Sequence, residues 1–354
     1  MTTAAAAAGK DPHTPALGAA ATPLRERREG TTYGVLVPHF GQAATPARVL
    51  GSGELAEHAG FDAVWVRDHL LWEPHGMEGD DRTFVESLTV LAGIAARTSH
   101  IVLGTAVLIP IRWPLKLAQD LASLSFLAGG RVVAGMGLGS GQAELGAAGF
   151  RRSDRKRIFV ETVEILNKVW SGDDVEHHGR LFDFEHVTIE PKPTCHLPLW
   201  YGGTTEVSVR NAVEHCEGWM PGRVPLATLR ARLDLLDDLA SASGKRIAKA
   251  IVPLVKVDRN RARARAGIDV AALGASSEAA KTWILPPGGL NTIDDLGGIA
   301  YAGTPDEIVE HIATLVGHGL DHVVFDFRLQ DQEFERALEL VGTEVLPALR
   351  KRGT

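Results

Sequence analysis

Ala63-Val64-Trp65-Val66-Arg67-Asp68-His69 is an apolar run that ends abruptly in a guanidinium, a carboxylate and an imidazole. Ala63 to Val66 reads as a strand apolar on both faces, the pattern of a parallel sheet covered on both sides. Asp68 and His69 then fall at the carboxyl end of that strand. In a (β/α) barrel this rim is where active sites are built, so position and residue type together make the pair a candidate acid/base site. The competing reading is an aspartate capping a loop beside a solvated histidine.

Working outward, short apolar runs near 33–37, 62–66, 101–104 and 131–135 alternate with helical patterns. Further strands are predicted at 198–201, 217–220, 250–257 and 322–327. Alternation of this kind argues for βαβ units, and eight strands predict a single (β/α)8 TIM barrel. Helix starts are marked, as at Thr304-Pro305-Asp306-Glu307, which has the form of a capping box with proline in the first turn. Phe159, Val163, Leu166 and Trp170 follow helical spacing, so Trp170 reads as scaffold. Two interruptions break the rhythm. Residues 171–197, after the fourth strand, read as a polar hairpin. Residues 258–300, after the seventh, begin with Arg259, Arg261, Arg263 and Arg265. The arginine run suits a solvated face, with an anion site as the alternative. Rim insertions commonly cover a site, and this is the expected role of 258–300.

Of 354 residues, 45% are hydrophobic and 23% charged, ordinary globular values that allow one large domain over 31–354. Residues 1–30 read as a disordered N-terminal tail. Ala4 to Ala8 is too short for the apolar region of an export signal and no basic segment precedes it. A formal charge of -7 gives no basic footprint for nucleic acid. No stretch approaches the roughly 20 apolar residues that span a bilayer. Cys195 and Cys216 form neither a disulfide framework nor a paired-cysteine metal motif, which fits a reducing cytoplasm. His177-His178 and the Glu307/His311 pair lack the further ligands a metal site needs, so no metal is expected. There is no nucleophile elbow and no Walker loop.

Three more segments carry chemistry. Thr105-Ala106-Val107-Leu108-Ile109-Pro110 continues apolar past its strand, as a wall for a flat ring or as a longer strand. Gly135-Met136-Gly137-Leu138-Gly139-Ser140-Gly141 lets backbone approach a ligand closely, but Ser140 breaks a dinucleotide fingerprint. Tyr201-Gly202-Gly203-Thr204-Thr205 precedes a helix, where free N–H groups and two hydroxyls suit a phosphate or an ordinary capped turn.

Taken in order, Gly60-Phe61-Asp62-Ala63-Val64-Trp65-Val66-Arg67-Asp68-His69, Leu103-Gly104-Thr105-Ala106-Val107 and Gly129-Gly130-Arg131 resemble the bacterial-luciferase-like family. The resemblance runs from about Tyr33 to Arg350 and includes Gly303-Thr304-Pro305 and Gly319-Leu320-Asp321-His322-Val323-Val324-Phe325. It implies a TIM barrel using either FMN or the deazaflavin coenzyme F420, and the Asp-His strand end and glycine loop are more similar to the F420 branch. The C-terminal segment resembles deazaflavin-dependent glucose-6-phosphate dehydrogenase. By that resemblance, Asp68 and His69 match the active-site pair, with His69 moving a substrate proton and Asp68 fixing it. Ala106-Val107 match a non-prolyl cis peptide behind the ring. Gly139, Ser140 and Gly141 would approach the ring system, and Gly202, Gly203 and Thr204 the phosphate-bearing tail. Ser140 stands where the sugar-phosphate enzyme has a catalytic glutamate, and Gly298 where it has a phosphate-binding arginine, which argues against glucose 6-phosphate. Trp72 and Trp113 are candidates for lining a substrate pocket. The implied activity is hydride exchange between F420 and a small organic substrate, in a possible homodimer. The alternatives are an FMN-dependent monooxygenase and a non-catalytic barrel that binds a flavin or metabolite.

Overall fold

A computed structural model describes Leu24 and residues 30–71, 81–139, 142–275 and 281–352. Eight strands, all parallel, close into a barrel: β1 (Thr32–Leu36), β2 (Ala63–Val66), β3 (Val102–Thr105), β4 (Val132–Gly137), β7 (Leu199–Gly202), β8 (Gly218–Met220), β9 (Ala248–Ile251) and β12 (His322–Phe325). The sequence places all eight. Helices α1 (Pro46–His58), α2 (Ser87–Ala95) and α3 (Pro114–Leu127) follow the first three strands, and α4 (Gln142–Ala147) and α5 (Arg155–Ser171) follow β4. Next come α6 (Glu206–His215), α7 (Leu226–Ser243), α8 (Arg261–Arg265), α9 (Val270–Ala275), α10 (Pro305–Val316), α11 (Phe334–Leu340) and α12 (Leu346–Arg352).

Strand alternation sorts the apolar residues into two layers. Tyr33, Val35, Val64, Val66 and Leu103 join the shell between barrel and helices. Leu36, Ala63, Trp65, Val102, Val133, Trp200, Met220, Ala248, Ala250 and Val324 fill the interior. The Trp65 and Trp200 rings lie 5.6 Å apart, and His322 stands 5.5 Å from Trp65. Glycine makes room for them: a Cβ at Gly34 would lie 2.6 Å from Trp65 Nε1. The tryptophan indole donates to His322 Nε2 at 2.9 Å, and His322 Nδ1 lies 2.8 Å from the Thr32 hydroxyl. The barrel is therefore a packed core with its free end at the mouth. Leu24 is buried in the same interior cluster. The rest of the expected tail, apart from Gly30, lies outside the described residues.

Both interruptions have structure. The first is the antiparallel hairpin of β5 (Val175–His178) and β6 (Asp183–Val187), between α5 and β7. The second contains α8 and α9 and runs into a strand absent from the sequence reading, β11 (Ala300–Gly303), which pairs in parallel with β10 (Leu254–Val257) outside the barrel. The expected strand 250–257 is thus two, broken where Pro253 has no N–H for the ladder. The arginines pair with protein carboxylates: Arg259 with Glu344, Arg261 with Glu307, Arg263 with Asp258 and Glu333, and Arg265 with Asp294. The solvated reading describes them. Trp170 donates to Ala118 O at 3.1 Å, as scaffold does, and the Thr304–Glu307 capping box is present. Among the described residues no helix is long and apolar enough to cross a membrane.

Candidate active site

At the carboxyl ends of β2 and β3 the two expected catalytic residues part company. Asp68 is buried and accepts from three kinds of donor: Arg112 Nη1 and Nη2 at 2.7 Å each, Ile109 N–H at 2.9 Å and the Ser87 hydroxyl at 2.9 Å. Such a bidentate pair is geometrically demanding as well as strong. Burial works against the Arg112 charge, but Asp68 and then Glu86 outweigh it and hold the guanidinium more firmly protonated. His69 is not among the partners of Asp68. The carboxylate beside the imidazole is Glu144, at the start of α4, with Oε1 and Oε2 3.2 and 3.3 Å from His69 Nδ1.

Glu144 also accepts from Leu70 N–H at 2.7 Å and Leu71 N–H at 3.3 Å, and its side chain is 1% exposed. Burial alone would raise its carboxyl, yet His69 and these two N–H groups hold it below the ordinary value. A carboxylate on Nδ1 fixes the ring and its tautomer. Glu144 was not among the residues selected from sequence. The available signal was an acid a few positions past a glycine run, and only the fold puts it against His69.

Asp68 serves the neighbouring wall. Its bonds to Ile109 and Arg112 order the segment that follows β3, where Ala106–Val107 is a cis peptide, as the resemblance implied. Ala106 N–H donates to Val66 O at 2.7 Å, tying this segment to the strand that carries His69. The Val107 side chain lies over glycines of β4 and β7. A Cβ at Gly137 would stand 2.8 Å from Val107 Cγ2, and one at Gly202 would be 2.6 and 2.7 Å from its two methyls. The glycines thus admit the valine, which projects an apolar surface at the mouth. Gly139 has φ +69° and faces Ile109, where a Cβ would meet Cγ2 at 2.8 Å.

Beyond β7, Gly203 has φ +149° and sits so close to Ser208 Oγ that no side chain fits. Thr205, rather than Thr204, caps α6, accepting from Ser208 N–H at 3.2 Å. Gly202, Gly203 and Thr204 line the approach to that helix start. Trp113 is half exposed at the start of α3, its ring edge-on to Phe182 at 5.3 Å. Trp72, Ser140 and Gly141 lie outside the described residues. Among the described residues, no group of three or more His, Cys, Asp or Glu side chains could hold a metal.

Comparison with known proteins gives the family of this barrel. The model of the luciferase-like monooxygenase family matches residues 21–322. The chain belongs to that family. It is 31% identical over 333 residues to an F420-dependent glucose-6-phosphate dehydrogenase of Nakamurella multipartita, covering 88% of this chain and 96% of that protein. The counterpart from Microbacterium testaceum is 31% identical over 326 residues, 87% of this chain and 94% of its own. Among solved structures, an F420-dependent secondary alcohol dehydrogenase in complex with an F420-acetone adduct superposes with a TM-score of 0.76 at 22% identity, over 91% of this chain and 99% of that one. The monooxygenase RslO1 from Streptomyces bottropensis gives 0.73 at 24%, over 90% and 99%. These two likenesses show the fold, a barrel of the same kind.

Proposed function

We propose that this luciferase-like enzyme is an F420-dependent oxidoreductase that exchanges hydride with a small organic substrate. The observation that carries the reading is an apolar wall, Val107 on its glycine bed, joined through Ala106 and Val66 to the strand end that bears the His69–Glu144 pair. A flat ring fits such a wall, and the Gly202–Thr204 approach to α6 offers N–H groups to a phosphate. The F420-dependent relatives support the choice of cofactor. When bound, the deazaflavin supplies a hydride acceptor or donor at a ring carbon. The chain's own work is to seat the ring, exclude water and move the accompanying proton. His69 Nε2 takes or gives that proton, and Glu144 orients the imidazole. Asp68 shapes the wall.

The same reading favours a substrate other than glucose 6-phosphate, the compound in the relatives' names, because Gly298 stands where the resemblance puts a phosphate-binding arginine. Gly298 has φ +86°, and a Cβ there would press on Val224 O and lie 3.0 Å from Leu226 N. An arginine cannot be accommodated at that position.

Titration of the purified apo-protein with F420 and with FMN, followed by ring fluorescence, tests the proposal. Saturable and much tighter F420 binding is expected, with no oxygen consumption by the reduced complex. Preference for FMN, with oxygen uptake, would make it a monooxygenase. Binding of either without turnover over a broad panel of alcohols and carbonyl compounds would make it a non-catalytic barrel.

A further inference from the structure

Outside the barrel, α5 and the β5–β6 hairpin border a groove of about 820 Å3, within the size range of small-molecule sites. Its lining includes Arg151, Lys156 and Arg157, around the start of α5, and Arg180, in the hairpin turn. All four are exposed, and among the described residues none of the four side chains makes a hydrogen bond or an ion pair. The arginines of 259–265 do the opposite, each holding a protein carboxylate. Lys168, farther along α5, also lines the groove and donates to Glu176 O at 3.3 Å.

Five cationic side chains thus meet three carboxylates, Asp154, Glu161 and Glu164. Glu161 is buried and committed to the hairpin turn, where it accepts from the N–H groups of Arg180, Leu181 and Phe182 at 3.2, 3.0 and 3.1 Å. Cations gathered on one cavity repel one another and focus a positive potential there. No side chain caps the 3-10 turn Arg152–Asp154 that leads into α5, and the helix dipole adds to the potential at this end. His177 lines the same groove, 4% exposed and stacked on Phe184 at 5.8 Å. Neither of its ring nitrogens has a hydrogen-bond partner, Nε2 being 3.7 Å from Glu161 Oε2. Buried polar groups are ordinarily bonded to protein, water or ligand, and here the protein supplies no bond.

We propose that this groove binds a small anion carrying two or more negative charges, which bridges Arg180 of the hairpin to Arg151 and Arg157 at the start of α5. Cations on both sides of the groove select for charge at more than one point of the ligand, and guanidinium groups offer it paired N–H donors. The groove shares no residue with the Val107 wall or the His69–Glu144 pair, so the inference stands independently of the hydride-transfer reading.

The full chain is titrated by calorimetry with pyrophosphate and, separately, with acetate, in metal-free buffer at constant ionic strength. Saturable binding is expected for pyrophosphate and not for acetate. Arg157→Gln and Arg180→Gln should each weaken it several-fold and together tenfold or more, while Arg230→Gln, at an exposed position of α7 away from the groove, leaves it unchanged. Saturating F420 should leave pyrophosphate affinity within about twofold. Absence of saturable pyrophosphate binding, or equal affinity in the parent and the double variant, would overturn the proposal. So would displacement of pyrophosphate by F420, which would place the anion in the barrel mouth. If F420 itself fails to bind, the oxidoreductase reading falls, and the parent and the variants still decide the groove.

Discussion

Two buried carboxylates at the same rim have separable tasks, and mutation should separate them. Asp68 joins a guanidinium, a backbone N–H and a hydroxyl. Removing one partner of such a pair leaves an uncompensated charge. Asp68→Ala is therefore expected to cost about 3 kcal/mol in a denaturant titration, discounting for the partial exposure of Arg112. Glu144→Gln keeps the size and one acceptor but withdraws the charge from His69. Its stability should change less, while turnover falls roughly tenfold or more, because the imidazole loses the carboxylate that orients it. His69→Ala should cost about 10²-fold or more. Equal turnover of the parent and Glu144→Gln would show that Glu144 is structural only. Sequence could flag the carboxylate adjacent in the chain, Asp68, but not the one that α4 brings across from 75 positions away.

At the level of elements, the glycines of β4 and β7 show how a motif can be read correctly and explained differently. Glycine runs at strand ends suggest close approach of backbone to a ligand. In the fold, Gly137 and Gly202 first make space for Val107, and the valine is what meets the mouth. A single added methyl tests this. Gly202→Ala places a Cβ 2.6 Å from Val107 Cγ1, and overpacking of that kind costs about 1–3 kcal/mol. The expected result is a lower Tm together with F420 affinity weakened at least several-fold. Gly51→Ala in α1, with nothing within 4 Å of the added carbon, should instead stabilise by about 0.5–1 kcal/mol and leave cofactor binding alone. If Gly202→Ala binds F420 as the parent does, Val107 is not the wall. Short apolar runs made the eight barrel strands legible, because both faces of these strands are largely buried. β11 was not legible: it pairs with β10 outside the barrel, at the end of a segment whose apolar residues are scattered among Pro, Gly and charged residues.

For the whole molecule, filling a barrel with aromatic rings has a consequence in acid. His322 is fully buried with Nε2 accepting from Trp65, and burial pushes its pKa down to about 3. His39, accepting the Arg67 N–H, is pushed down to about 4, again chiefly by burial. In the unfolded chain both rings return to about 6.5. Between these values the unfolded state binds protons that the native state does not, so stability rises with pH. The two contributions are complete above about pH 6.5 and are lost as pH falls toward 4 and then 3, at up to about 1.4 kcal/mol per pH unit for each ring. His215 and His311 shift downward too and add to the slope, whereas exposed His178 shifts upward and opposes it. The depressed carboxylates Glu144 and Asp326 stabilise above their unfolded pKa values and lose that contribution only at lower pH, so the window from 6.5 to 5 belongs to the histidines. Unfolding free energies measured across this window should fall steeply, and His322→Asn should reduce the slope by close to one proton, since Asn can still accept from Trp65 without titrating. Stability that stays flat from pH 7 to 5, or an unchanged slope in His322→Asn, would mean that the ring is already charged in the native barrel.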